Sequence, residues 1–184
     1  MISVQSTADQ LTRKLLTENF QRIRATTENL LQPLSEEDCL VSATVNTSPP
    51  KWHLAHTTWF FEYFILRQQE RDFPTFNPTY NYLFNSYYKL LGTHLNKKDR
   101  SLLSRPSLAE IFRYRKYVDQ KIVELIAQCD DLTFQKFYSA LEIGCHHEQQ
   151  HQELLLMDVK ENFFANPIFP CYLTETAEIG RAHV

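Results

Sequence analysis

Two histidine pairs hold most of the chemistry this sequence can do. In Cys145-His146-His147-Glu148-Gln149-Gln150-His151, His147 and His151 stand four residues apart in a stretch with helical periodicity. On a helix that spacing puts both imidazoles on one face, one turn apart, with Cβ atoms about 5–6 Å from each other. Two nitrogens so placed can share a metal ion, whose bonds to histidine are about 2.0–2.1 Å long for zinc. By itself such a pair is more often a polar helix face or a hydrogen-bonded core histidine. The setting argues for more: Glu148, Gln149, Gln150, Gln152 and Glu153 form a polar stretch that runs directly into Leu154-Leu155-Leu156. Two ligands rarely suffice, so a third is expected on another helix. His53 and His56, within Trp52-His53-Leu54-Ala55-His56, are the candidates, and periodicity leaves them almost equal. His146 lies about 100° around the helix from His147 and does not share its direction. His94 falls in a long connection and reads as a solvated loop residue.

Other residues are candidates for supporting roles. Tyr87 and Tyr88, in Phe84-Asn85-Ser86-Tyr87-Tyr88, pack by default but can also donate a proton or hydrogen atom to a metal-bound species. Phenols, with an unperturbed pKa of about 10, act as acids unless tuned. Arg100 and Arg105 can fork onto a substrate carboxylate, the default being a solvated or loop-bracing role. His147-Glu148-Gln149-Gln150-His151 also satisfies H-E-x-x-H, the zinc-peptidase pattern in which Glu148 is the general base. That reading lacks a clear third ligand downstream, Glu175 being the one available, and lacks a strand-rich half ahead of the helix.

These residues need a scaffold, and the pattern predicts helices. Only three glycines occur in 184 residues, at 92, 144 and 180, too few for the tight turns of a sheet protein. A first helix is expected over about 7–31, with Leu11, Leu15, Phe20, Ile23 and Leu30 as its apolar stripe and Pro33 beyond its end. A second begins at Ser48-Pro49-Pro50, read as a cap followed by prolines in the first turn, and runs to about Gln69. A third opens at Ser107 with the Ser-x-x-Glu spacing of a capping box. A fourth spans about 133–164 and stops at Asn166-Pro167. Between the second and third lies a connection of the length usually reserved for function, with a short helix expected around 84–91 closed by Gly92. The fold class expected is an all-α, up-down four-helix bundle with a long crossover.

Bulk properties narrow the function classes. Hydrophobic residues make up 43% and charged residues 22%, as in soluble globular proteins. The net charge is −3 and no basic stripe suggests nucleic acid or an anionic membrane. Four cysteines without CxxC spacing and a charged first twenty residues fit free thiols in the cytoplasm. The last residues, Glu178 to Val184, have codons that can spell a common sequencing-adapter sequence, so a non-native tail is expected there and His183 is set aside.

The segments from Ser48 to Glu62, Phe84 to Tyr88, Leu102 to Pro106 and His147 to Leu156, in that order along the chain, resemble the ergothioneine-biosynthesis sulfoxide synthases. The resemblance covers nearly all of residues 7–175. It implies a DinB-like helical domain over 1–177 that holds a non-haem iron(II). It also implies ligands at the Leu-Ala-His position, His56, and at the His-x-x-x-His positions, His147 and His151, choosing His56 over His53. Substitution of His53 or His146 is then expected to spare the ion. The implied substrates are hercynine, a thiol (cysteine or γ-glutamylcysteine) and dioxygen, joined into a sulfoxide, with Tyr87 and Tyr88 as donors. Family members carry a carboxy-terminal domain related to formylglycine-generating enzymes that completes the pocket; it is absent from this chain, which is expected to bind iron but turn over poorly. A stand-alone DinB-like thiol transferase is the nearest alternative.

Overall fold

A computed structural model describes residues 2–69, 72–86 and 93–173, with side chains from residue 10 onward. Four long helices make the bundle. The first, α1 (Ile2–Asn29), and the second, α2 (Pro50–Phe61), are followed by a π-helical turn at Glu62–Leu66 and a short α3 (Arg67–Gln69). The crossover contains α4 (Tyr80–Phe84) and a 3₁₀ turn at Lys97–Leu102. It leads to α5 (Leu108–Gln128) and the 35-residue α6 (Asp131–Ala165). No strand occurs among the described residues.

The helix ends follow side-chain chemistry. Ser107 accepts from the Glu110 backbone N–H, and Asp130 accepts from that of Thr133, each capping a free donor at a helix start. The capping-box partner behaves differently from expectation: Glu110 accepts from the Tyr80 hydroxyl at 2.7 Å, which ties the crossover to α5. Ser48 is likewise not a cap. Pro49 occupies that position in an extended conformation, Pro50 starts the helix, and the Ser48 hydroxyl accepts from Arg100 instead. A short helix of the crossover, α4, ends at Phe84, with Asn85 extended; the helix expected around 84–91 falls mostly outside the described residues. Tyr87, Tyr88 and Gly92 lie outside the described residues.

Packing places α2 at the centre. All twelve of its residues are buried, so it contacts α5 on one side and α6 on another. Its indoles pin the crossover: Trp52 donates to the Leu83 carbonyl at 3.1 Å and Trp59 to the Asn81 side chain at 3.0 Å. On α1 the buried stripe is Leu16, Phe20, Ile23 and Thr27, and Leu11 and Leu15 are each 56% exposed. The reason is Arg13, which shares the face of Leu16 and Phe20 and donates to the Ile126 carbonyl and the Asp131 carboxylate. Those two bonds turn that face, and not the Leu11–Leu15 face, toward α5 and α6. On α6, Gly144 makes room for the ring of Phe61 on α2. The four cysteines are free thiols, Cys39 and Cys145 buried.

Candidate metal centre

The facing of α2 and α6 brings three imidazoles together. His56 comes from α2; His147 and His151 come from successive turns of α6. One nitrogen of each lies within 4.8 Å of one nitrogen of the others. The ring centroids are 4.6–5.0 Å apart. Bonds of about 2.1 Å to one ion would hold such donors about 3 Å apart, a change within reach of small ring rotations.

The proton position at one of the rings follows from its partner. The His56 Nδ1–H donates to the Phe84 carbonyl at 2.6 Å, because a carbonyl only accepts, and this leaves the Nε2 lone pair free. The same ring stacks on Trp52 at 4.6 Å and on Trp59 at 5.7 Å, which fixes its plane. His147 packs on the Phe60 ring, and its buried Nδ1 finds no hydrogen-bond partner among the described residues. A buried polar nitrogen without a partner is costly. His151 Nδ1 lies 2.9 Å from His53 Nδ1, and His53 Nε2 lies 3.0 Å from Asp158 Oδ2. His53 therefore stands behind the cluster and not in it.

Burial first, and then the neighbouring rings, holds His56 and His151 well below the usual imidazole range; burial lowers His147 as well. All three are neutral at pH 7, the state in which imidazole binds a metal. Neutral donors, an unpartnered buried nitrogen and convergence from two helices all fit a divalent ion.

The cluster forms the wall of a cavity of about 690 Å³. The 3₁₀ turn of the crossover contributes Lys97 and Arg100, and α6 contributes Asp158 and Glu161. The Arg100 guanidinium lies 3.4 Å from the Trp52 ring centroid and donates to Ser48 Oγ at 2.8 Å. Arg105 is exposed and does not line the cavity. His146 is exposed and outside the cluster; His94 is half-buried, its ring against the Leu95 carbonyl. Sequence reasoning missed Asp158. Its signal was present, since it lies seven residues beyond His151 and so on the same helix face.

Glu148 faces the other way. It is fully buried and accepts from Arg24 at 2.6 Å, from Thr27 at 2.6 Å and from Arg115. Burial raises its pKa, but Arg115 and Arg24 outweigh burial and hold the carboxyl at about 2. A carboxylate so occupied cannot activate water, so the H-E-x-x-H peptidase reading has no base.

The family described as the DinB superfamily matches residues 19–155 of this chain. No curated protein matches it. No helix among the described residues is long and apolar enough to cross a membrane.

Proposed function

We propose, on the premise that the chain belongs to the DinB superfamily, that His56, His147 and His151 hold one non-haem iron(II) ion, and that the site serves oxygen-dependent joining of a thiol to hercynine. The observation that carries this reading is the convergence of three neutral imidazoles from two helices on the wall of a cavity large enough for substrates. The finer assignment rests on the resemblance to the ergothioneine sulfoxide synthases. Bound iron(II) would supply the redox chemistry that dioxygen activation needs.

The chain's own residues would do the rest. Lys97 and Arg100 offer a cationic wall for a carboxylate, and the Trp52 stack keeps the Arg100 fork in a fixed plane. Arg105 is exposed and lies outside the lining of this cavity. Tyr87 and Tyr88 follow the cavity-lining Ser86 in sequence and keep the donor role the resemblance implies.

The test is an anaerobic iron(II) titration of the wild type and of His56→Ala, His147→Ala and His151→Ala. One ion per chain, lost in each variant, is the expected result. Oxygen uptake that depends on both hercynine and a thiol then tests the reaction. A match at superfamily level also accommodates a stand-alone thiol transferase, which tight zinc or nickel binding with no oxygen uptake would favour.

A further inference from the structure

His53 lies in the same helix as His56 and was expected to be dispensable for the ion. The geometry points to a different role: we propose that Asp158 and His53 form a positioning relay that locks His151 in its Nδ1–H tautomer, so that Nε2 is presented to the metal before the metal arrives. This rests on the reading of the histidine cluster as a metal centre.

Three residues lie in series, Asp158, His53 and His151. Asp158 Oδ2 accepts from the Ser48 backbone N–H at 2.8 Å and lies 3.0 Å from His53 Nε2. A carboxylate oxygen accepts, so the His53 proton sits on Nε2. A neutral His53 then carries a lone pair on Nδ1. His53 Nδ1 and His151 Nδ1 are 2.9 Å apart, a hydrogen-bond distance that needs one proton between them. With His53 Nδ1 unprotonated, that proton belongs to His151 Nδ1. The lone pair of His151 is left on Nε2, and the ring cannot present it elsewhere without breaking the contact. Without the relay, His151 would exchange between tautomers, and only one of them offers a donor at that atom.

The relay also ties helices together. His53 is on α2, while His151 and Asp158 are two turns apart on one face of α6. His53 and His151 are both buried, so water does not substitute readily for either contact. The ligands therefore depend on a residue that touches no metal. Partners of this kind commonly carry about 10–100-fold in metal affinity.

Two measurements test this. Long-range ¹H–¹⁵N spectra of the imidazoles in the metal-free protein should show His151 as the Nδ1–H tautomer and His53 as Nε2–H. His151 found as Nε2–H overturns the proposal whether or not the site binds metal. Chelator competition with cobalt(II) should then show one ion per chain in His53→Phe and Asp158→Leu, held about 10–100-fold more weakly than in wild type. Asp158→Asn keeps an acceptor oxygen and should recover most of the affinity. Unchanged affinity in folded His53→Phe or Asp158→Leu overturns the relay. Complete loss of the ion in a folded His53→Phe does so too, because it would make His53 a ligand. Should His53→Phe not fold, Asp158→Leu at the cavity edge and the wild-type spectra decide. A wild type that binds no ion refutes the metal reading and leaves the tautomer result to judge the relay.

Discussion

His147 and Glu148 are consecutive on α6 and serve opposite sides of it: the imidazole faces the histidine cluster, and the carboxylate is buried among Arg24, Arg115 and Thr27. A rotation of about 100° between neighbours is enough to divide the histidine cluster from an ion network. The same two residues read as ligand and base in the H-E-x-x-H pattern, so the division bears directly on function.

Glu148→Gln is therefore expected to destabilise the fold, by about 3–5 kcal/mol, because two buried guanidinium groups lose their shared counter-charge. Metal stoichiometry should stay at one ion per chain. Urea unfolding and metal analysis of the purified variant check both. A variant as stable as wild type that has lost a hydrolytic activity would restore the peptidase reading.

Acid should act on the metal-free protein through the histidines first. His53, His56, His147 and His151 all have folded values below the ordinary imidazole value of 6.5, burial being the first cause in each. Protons then bind the unfolded chain preferentially, so the stability these groups give is complete above about pH 6.5 and falls as pH drops below it. Glu148, held at about 2 against 4.5, adds a second loss as pH falls from about 4.5 toward 2. The melting temperature of apo protein should decline from pH 7.5 to pH 5.5 and further by pH 4. A flat profile between pH 7.5 and 5.5 would contradict the buried, neutral cluster.

How much of this was legible in the sequence depends on the element. The stripe Ile111, Tyr114, Val118, Ile122 and Ile126 on α5 is one-sided, so its periodicity gave both helix and facing. The spacing of His147 and His151 likewise placed two rings on one face. On α2 every residue is buried, and a helix buried all round carries no amphipathic signal. That is why His53 and His56 could not be separated by periodicity. What separates them is tertiary: the Phe84 carbonyl and two indoles orient His56, and Asp158 holds His53. The inward turn of Leu16 over Leu15 was hidden for the same reason, since it depends on Arg13 reaching the end of α5 and the start of α6.

Gly144→Ala tests the approach of α2 to α6 that the site depends on. A Cβ at Gly144 would lie 2.5 Å from Phe61 Cε1, and the Phe61 ring is itself held edge-on by Phe20 at 5.1 Å. Overpacking of this kind costs about 1–3 kcal/mol. The same shift should weaken metal binding, because it moves His56 relative to His147. Adding Phe61→Leu should recover part of the loss in a double-mutant cycle, since the shorter side chain vacates the contact. Strict additivity of the two costs would show that the ring is not what the new methyl group meets.

The metal centre and the catalytic site are expected to have different boundaries. All three ligands and the Asp158–His53 support come from α2 and α6, so this chain should bind iron(II) unaided, with one ion per chain. The cavity beside them is less complete: Met157 belongs to its lining and yet is 64% exposed. Of the cationic wall, Lys97 is exposed and would act through water, where charge pairs contribute about 0–1 kcal/mol, and only Arg100 is buried. On the proposed reading, a carboxy-terminal domain of the kind the resemblance implies would cover that rim. Oxygen uptake with hercynine and a thiol should therefore be low for this chain and at least tenfold higher for a longer version that carries such a domain, with equal iron content in both. Equal rates would show that the helical domain alone builds the substrate site.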